Sequence, residues 1–226
     1  MSNSSATVEQ PTVVPEAQKL ERYRLRQCAA RLCVFEAFKR AGAEPRPIGH
    51  HQDAGRTIQR WGEDSPLAPV PLGLPDGQFA ASGGRELPPG VPRCWLFQCR
   101  PGKELRRADL QWAEHLAQAT GTPVRFAFPI EGRVYLVDAT EIEPFLGDKE
   151  ALAIDPWGAS AHRWACRELV ETLRRDYGMS PNPNPFHHSP DWWPIIAASF
   201  KHEAACYQRV LEQCNNDPWL LLYDNC

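Results

Sequence analysis

Side chains able to do chemistry gather at a few places in this sequence. Asp76 closes a Gly73-Leu74-Pro75-Asp76 turn, and Gln98-Cys99-Arg100 ends an apolar, aromatic run that begins at Cys94. Gln111 and His115 stand four apart, so one face of a helix would carry both. His50-His51-x-Asp53 offers metal-ligand types but lacks a second cluster at firm spacing, which favours an exposed loop over a metal site. His202 and Cys206 would make half a zinc site that no other pair completes. None of the eight cysteines forms Cys-x-x-Cys. Cys28 and Cys33, and likewise Cys94 and Cys99, point to different faces of their elements, so these thiols read as small buried hydrophobes.

These residues need elements to hold them. CWLFQC is a strand ended by Arg100-Pro101-Gly102, and Leu105, Ala108, Trp112, Leu116 and Ala119 then recur at helical spacing up to Gly121. VRFAFPI and RVYLVDA are β-rich runs parted by Glu131-Gly132. The reading is an α/β class: strands at 94–99, 124–129 and 133–138 in one small mixed sheet, helix 104–119 packed on it, Trp112 and Leu116 buried. Ahead of it, Leu25, Cys28, Leu32, Phe35 and Phe38 stripe a helix from Glu16 to Ala41, and short strands fit around Arg56–Trp61 and Gln78–Ala81. Asp155-Pro156 reads as a helix start, predicting helices near 157–177 and 192–214 with Leu173 and Phe200 buried. The organisation is a disordered tail at 1–15, an α/β core with its N-terminal helix at 16–150, and a helical C-terminal subdomain at 151–226.

Composition narrows the class. The 22 prolines of this 226-residue chain cluster at 1–15, 45–101 and 181–194, which marks those stretches as extended, proline-rich connections. A net charge of −3 excludes a protein that coats nucleic acid through bulk charge and leaves room only for a local basic patch. There is no run of 18 apolar residues and the N-terminus lacks the pattern of a secretory leader, so the expectation is a cytoplasmic protein with no membrane contact.

Taken in order, GLPD, LFQCR, ADLQW, VRFAF and VYLVDATEIEPFL resemble the PD-(D/E)xK nuclease superfamily, above all its VRR-type and Holliday-junction-resolvase-like branches. Those families place an aspartate after a Gly-x-Pro turn, an E-x-K on the next strand, a glutamine on the following helix, then an aromatic-rich strand leading into a helix. The likeness covers about residues 73–146 and implies a restriction-endonuclease-like core. It implies catalytic roles for Asp76, Gln98, Arg100 and Gln111, with Asp76 and Gln98 as metal ligands and Mg²⁺ as cofactor if the site is active. The letters depart from the pattern. Gln98 stands where Glu is usual and brings no charge to a cation. Arg100 replaces the lysine and cannot act as a base, although it can clamp a phosphate. Together these changes imply weak or absent catalysis and an Asp76–Arg100 pair in place of a metal. Without the resemblance, Gly73–Asp76 is an ordinary proline turn.

Binding surfaces follow from charge and aromatics. Lys19, Arg22, Arg24, Arg26 and Arg31 crowd the first helix as a solvated face or a phosphate-contacting surface. Arg22, Arg26, Lys103, Arg106 and Arg107 are the candidate nucleic-acid contacts. Phe186, Trp192 and Trp193 on a proline-stiffened stretch are the candidate protein-binding anchors. The expected function is a catalytically degenerate nuclease-fold protein that binds nucleic acid or a nucleoprotein complex, such as a mobile-element inhibitor of a defence complex. The alternatives are an active Mg²⁺-dependent nuclease or junction resolvase, and an oligomeric interaction protein, for instance a homodimer, that meets a protein partner and no nucleic acid.

Overall fold

The computed structural model describes residues 15–48, 74–81, 83–84, 86–180, 192–200 and 203–223. The expected strand at 56–61, the His50–Asp53 cluster, Phe186 and His202 lie outside them, as does nearly all of the 1–15 tail.

Helix α1 (Glu16–Arg40) is the axis of the molecule. Its first turns are exposed, but from Cys28 to Phe38 every residue is buried. The segment CAARLCVFEAF is apolar or small nearly all round, and a helix of that kind has to be enclosed. A sheet covers one side: Phe38 lies 5.0 Å from Phe97 and 5.7 Å from Trp95, ring centre to ring centre, and Phe35 lies 5.5 Å from Phe97. Helices from the C-terminal third cover the other. Basic residues Lys39 and Arg40 complement the helix's C-terminal dipole. Gly42 at φ +77° then turns the chain where a Cβ would meet the Ser180 carbonyl oxygen at 2.4 Å.

The sheet runs in the order β1 (Arg46–Pro47), β2 (Gly77–Ala80), β3 (Cys94–Cys99), β5 (Val124–Ile130), β6 (Arg133–Asp138) and β8 (Cys166–Glu168). β3 and β5 are parallel, joined across α2 (Arg107–Thr120); the other pairings are antiparallel. The expected mixed α/β architecture is what forms, with helices flanking the sheet. Trp112 and Leu116 are buried between α2 and the sheet, and α3 (Ala139–Leu146) packs beside them. Period-two alternation sorts β3 by face: Trp95, Phe97 and Cys99 join the core around α1, and Leu96 joins the core under α2. That division governs the candidate site.

Three expected helices differ from their readings. Residues 104–106 form β4 (Glu104–Arg106), paired with β7 (Ala151–Ala153), so α2 starts at Arg107. The helix expected at 157–177 is only α4 (Leu169–Tyr177). Asp155 starts no helix because its Oδ1 accepts the amides of Trp157 at 3.1 Å and Gly158 at 2.8 Å, closing a turn on itself. Residues 166–168 instead add β8 to the sheet. The last expected helix is two, α5 (Trp192–Ser199) and α6 (Ala204–Gln213), followed by α7 (Leu220–Tyr223). Leu173 and Phe200 are buried in the same core as α1. No helix among the described residues is long and apolar enough to cross a membrane.

Candidate functional site

Asp76 is fixed by its backbone before its side chain is considered. Its amide donates to Phe97 O at 2.9 Å, and its carbonyl accepts from the Ile48 amide at 3.0 Å, so it sits wedged between β1 and β3. The carboxylate then turns toward α1. Oδ2 accepts the Cys99 amide at 2.7 Å and Oδ1 lies 2.5 Å from Arg31 Nε. Both side chains are almost wholly buried. Arg31 also reaches Glu203, and its Nη1 lies 3.5 Å from Tyr207 Oη. Burial pulls the Arg31 guanidinium down, but Asp76, Tyr207 and Glu203 outweigh it and hold its pKa well above the ordinary value. Arg31 was expected on a solvated or phosphate-binding face; it is the buried hub of a charge cluster.

Gln98 and Arg100 belong to the opposite face of the sheet. Gln98 shares its face with Leu96, beside Phe126 of β5, under α2. The Arg100 amide extends the parallel ladder by donating to Ala127 O at 2.9 Å. Its guanidinium pairs with Asp109 in the first turn of α2 and lies 5.5 Å over the Phe126 ring. Asp109 Oδ2 in turn accepts the Arg106 amide at 2.8 Å and caps the helix. The expected Asp76–Arg100 pair is thus replaced by two separate pairs, Asp76–Arg31 and Arg100–Asp109. Each basic group takes the carboxylate that its own side of the sheet supplies. Gln111 lines a different recess, between α2 and α3, with Arg107, Leu110, Glu143 and Leu146.

This donor set does not fit Mg²⁺. Both oxygens of Asp76 are engaged, one by a guanidinium that would repel a cation, and Gln98 projects from the other face. Among the described residues no group of three His, Cys, Asp or Glu side chains could hold a metal ion.

The basic candidates are scattered and mostly compensated. Arg22 is exposed on α1, while Arg26 reaches back to Pro101 O at 3.4 Å. Lys103 lies 3.4 Å from Glu131, and Arg106 lies 3.5 Å from Glu104. Arg107 donates to the carbonyls of Gly147 at 2.6 Å and Lys149 at 2.9 Å.

Of the expected aromatic anchors, Trp192 opens α5, and Trp193 is buried against the α1 core, not displayed. Among the described residues the displayed tryptophans are Trp157 and Trp164, 45% and 58% exposed, both between β7 and β8. Each is braced from beneath. Trp157 meets Tyr135 edge-on at 5.3 Å, and Trp164 meets Phe145 edge-on at 5.9 Å. Buried His162, between them in sequence, is tied through Nε2 to Ala153 O at 3.0 Å. Sequence reading missed this edge. The signal was Asp155-Pro156-Trp157-Gly158, a turn motif read as a helix start.

No protein-family model matches the chain, and neither the curated proteins nor the solved structures gave a significant match.

Proposed function

We propose that this chain is a non-catalytic binding protein that engages a protein partner through the aromatic edge of residues 155–165. One observation carries the reading: Trp157 and Trp164 stand about half exposed on a loop whose own hydrogen bonds and aromatic bases hold it in place. Tryptophan is the residue most over-represented among the few that dominate binding energy, and a braced ring loses little entropy on binding. Two of the catalytic candidates support the reading from the other side, since internal ion pairs occupy Asp76 and Arg100. The test is crosslinking capture from an extract of the native host, quantified for the wild type and for Trp157→Ala/Trp164→Ala. A partner enriched by the wild type and reduced at least tenfold by the double variant supports the proposal; equal capture by both refutes it.

A second reading keeps nucleic acid or a nucleoprotein complex as the target of a degenerate nuclease-like core. It is favoured by the closeness in sequence of Lys103, Arg106 and Arg107, which bracket β4 and open α2 just after Arg100. Binding to labelled DNA or RNA that weakens steeply with added salt, and that Arg106→Ala/Arg107→Ala reduces, would select it.

A further inference from the structure

The contact between α1 and α6 holds a pair of thiols that no part of the binding edge uses. Cys28 is buried on α1, and Cys206 is partly exposed on α6. Their sulfurs are 2.9 Å apart, although 178 positions separate them in sequence. Two ion pairs flank them, Arg31 with Glu203 at the N-cap of α6 and Glu21 with Arg209 within it. These fix the sliding and rotation of α6 on α1, so the sulfurs are held together on both sides.

The geometry points to Cys28 and Cys206 as an exchangeable dithiol that closes to an intramolecular disulfide when it meets a low-molecular-weight disulfide, stapling α6 to α1. The exposed member reacts first. The Cys206 thiolate attacks one sulfur of the small disulfide, forming a mixed disulfide and expelling one small thiolate. Cys28 then gives up its proton and attacks the Cys206 sulfur, which forms the protein disulfide and expels the second thiolate. Two protein thiols are oxidised, one small disulfide is reduced to two small thiols, and the two protons end on those thiols.

The electrostatics agree with that order. The Cys28 S–H donates to Cys206, which pulls Cys206 below the ordinary thiol value against the opposing effect of burial. The same bond is the leading reason that Cys28 is pushed up, with burial second. Once Cys206 is in the mixed disulfide its thiolate is gone, and the main cause holding the Cys28 proton disappears. Arg31 favours the anionic form of both sulfurs. Cys33 and Cys99 are fully buried, and burial foremost pushes both well above the ordinary value, which keeps them out of the exchange.

The full chain would be incubated natively with oxidised glutathione, acid-quenched, alkylated and digested. The expected product is a Cys28–Cys206 linked peptide, lost on treatment with dithiothreitol, absent in Cys206→Ser and in Cys28→Ser, and retained in Cys94→Ser. The oxidised wild type should melt roughly 5–10 °C higher, because the crosslink closes a long loop in the unfolded chain. The mapping needs no variant, so a failure of Cys28→Ser to fold leaves the test intact. The proposal is overturned if Cys206 stops at the glutathione adduct while Cys28 stays alkylated. It is equally overturned if the link is no more abundant than pairings of other cysteines.

Discussion

Arg31 Nε lies 2.5 Å from Asp76 Oδ1, and the two side chains bury each other between the central helix and the end of the sheet. Asp76 also holds the Cys99 amide, and Arg31 also holds Glu203. One pair thereby ties α1, the approach to β2, the end of β3 and the α6 region together. A carboxylate in this position serves the fold.

Arg31→Met tests that role from the helix side. It leaves the buried Asp76 carboxylate without its counter-charge, and removal of one partner from such a pair costs about 3–5 kcal/mol. Denaturant unfolding should show a loss of that size. Arg22→Met, on the exposed part of the same helix, should change stability by less than about 0.5 kcal/mol.

Gln98→Glu with Arg100→Lys rebuilds the usual nuclease letters on β3. We expect no Mg²⁺- or Mn²⁺-dependent cleavage from this double variant, assayed on single-stranded, double-stranded and branched DNA. The new carboxylate would lie across the sheet from Asp76, whose oxygens are already taken. Appearance of metal-dependent cleavage would show that the two faces can be brought together.

Gly158→Ala should disturb the aromatic edge without unfolding the protein. A Cβ at this position would fall 1.9 Å from Asp155 Oδ2, so the turn that presents Trp157 must open. The expected readouts are greater acrylamide quenching of tryptophan emission and a stability loss near 1 kcal/mol.

Cys166 gives the alkaline side of the stability profile a defined sign. Burial first, and Asp155 second, push its thiol from 9.0 up to about 11. The unfolded chain therefore releases this proton at lower pH than the folded one, so its contribution is intact below pH 9 and is lost as pH rises toward 11. Cys166→Ser should flatten the fall in stability across that window, measured by denaturant midpoint against pH.

Much of the sheet was legible because its runs are long, apolar and punctuated. CWLFQC, VRFAFPI and RVYLVD form β3, β5 and β6 nearly as read, since strand period and turn residues agree there. The site was not legible, because its pairings are long-range. Arg31 lies 45 positions from Asp76 and sits among other arginines, so only the enclosure of α1 separates it from the solvated ones. Trp193 and the Trp157 segment departed from their readings for a similar reason. Proline near an aromatic suggested display for the first and a helix start for the second, whereas tertiary packing buried Trp193 and the Asp155 turn exposed Trp157.

The most direct measurement is guanidinium unfolding of the wild type and Asp76→Asn, each with and without Mn²⁺. A structural Asp76 predicts a loss of about 3 kcal/mol in the variant, because the buried Arg31 loses its more deeply buried carboxylate and keeps only Glu203, and a wild-type midpoint that Mn²⁺ leaves unchanged. A variant as stable as the wild type, together with a wild type that Mn²⁺ stabilises and the variant's loss of that stabilisation, would contradict the account and make Asp76 a metal ligand.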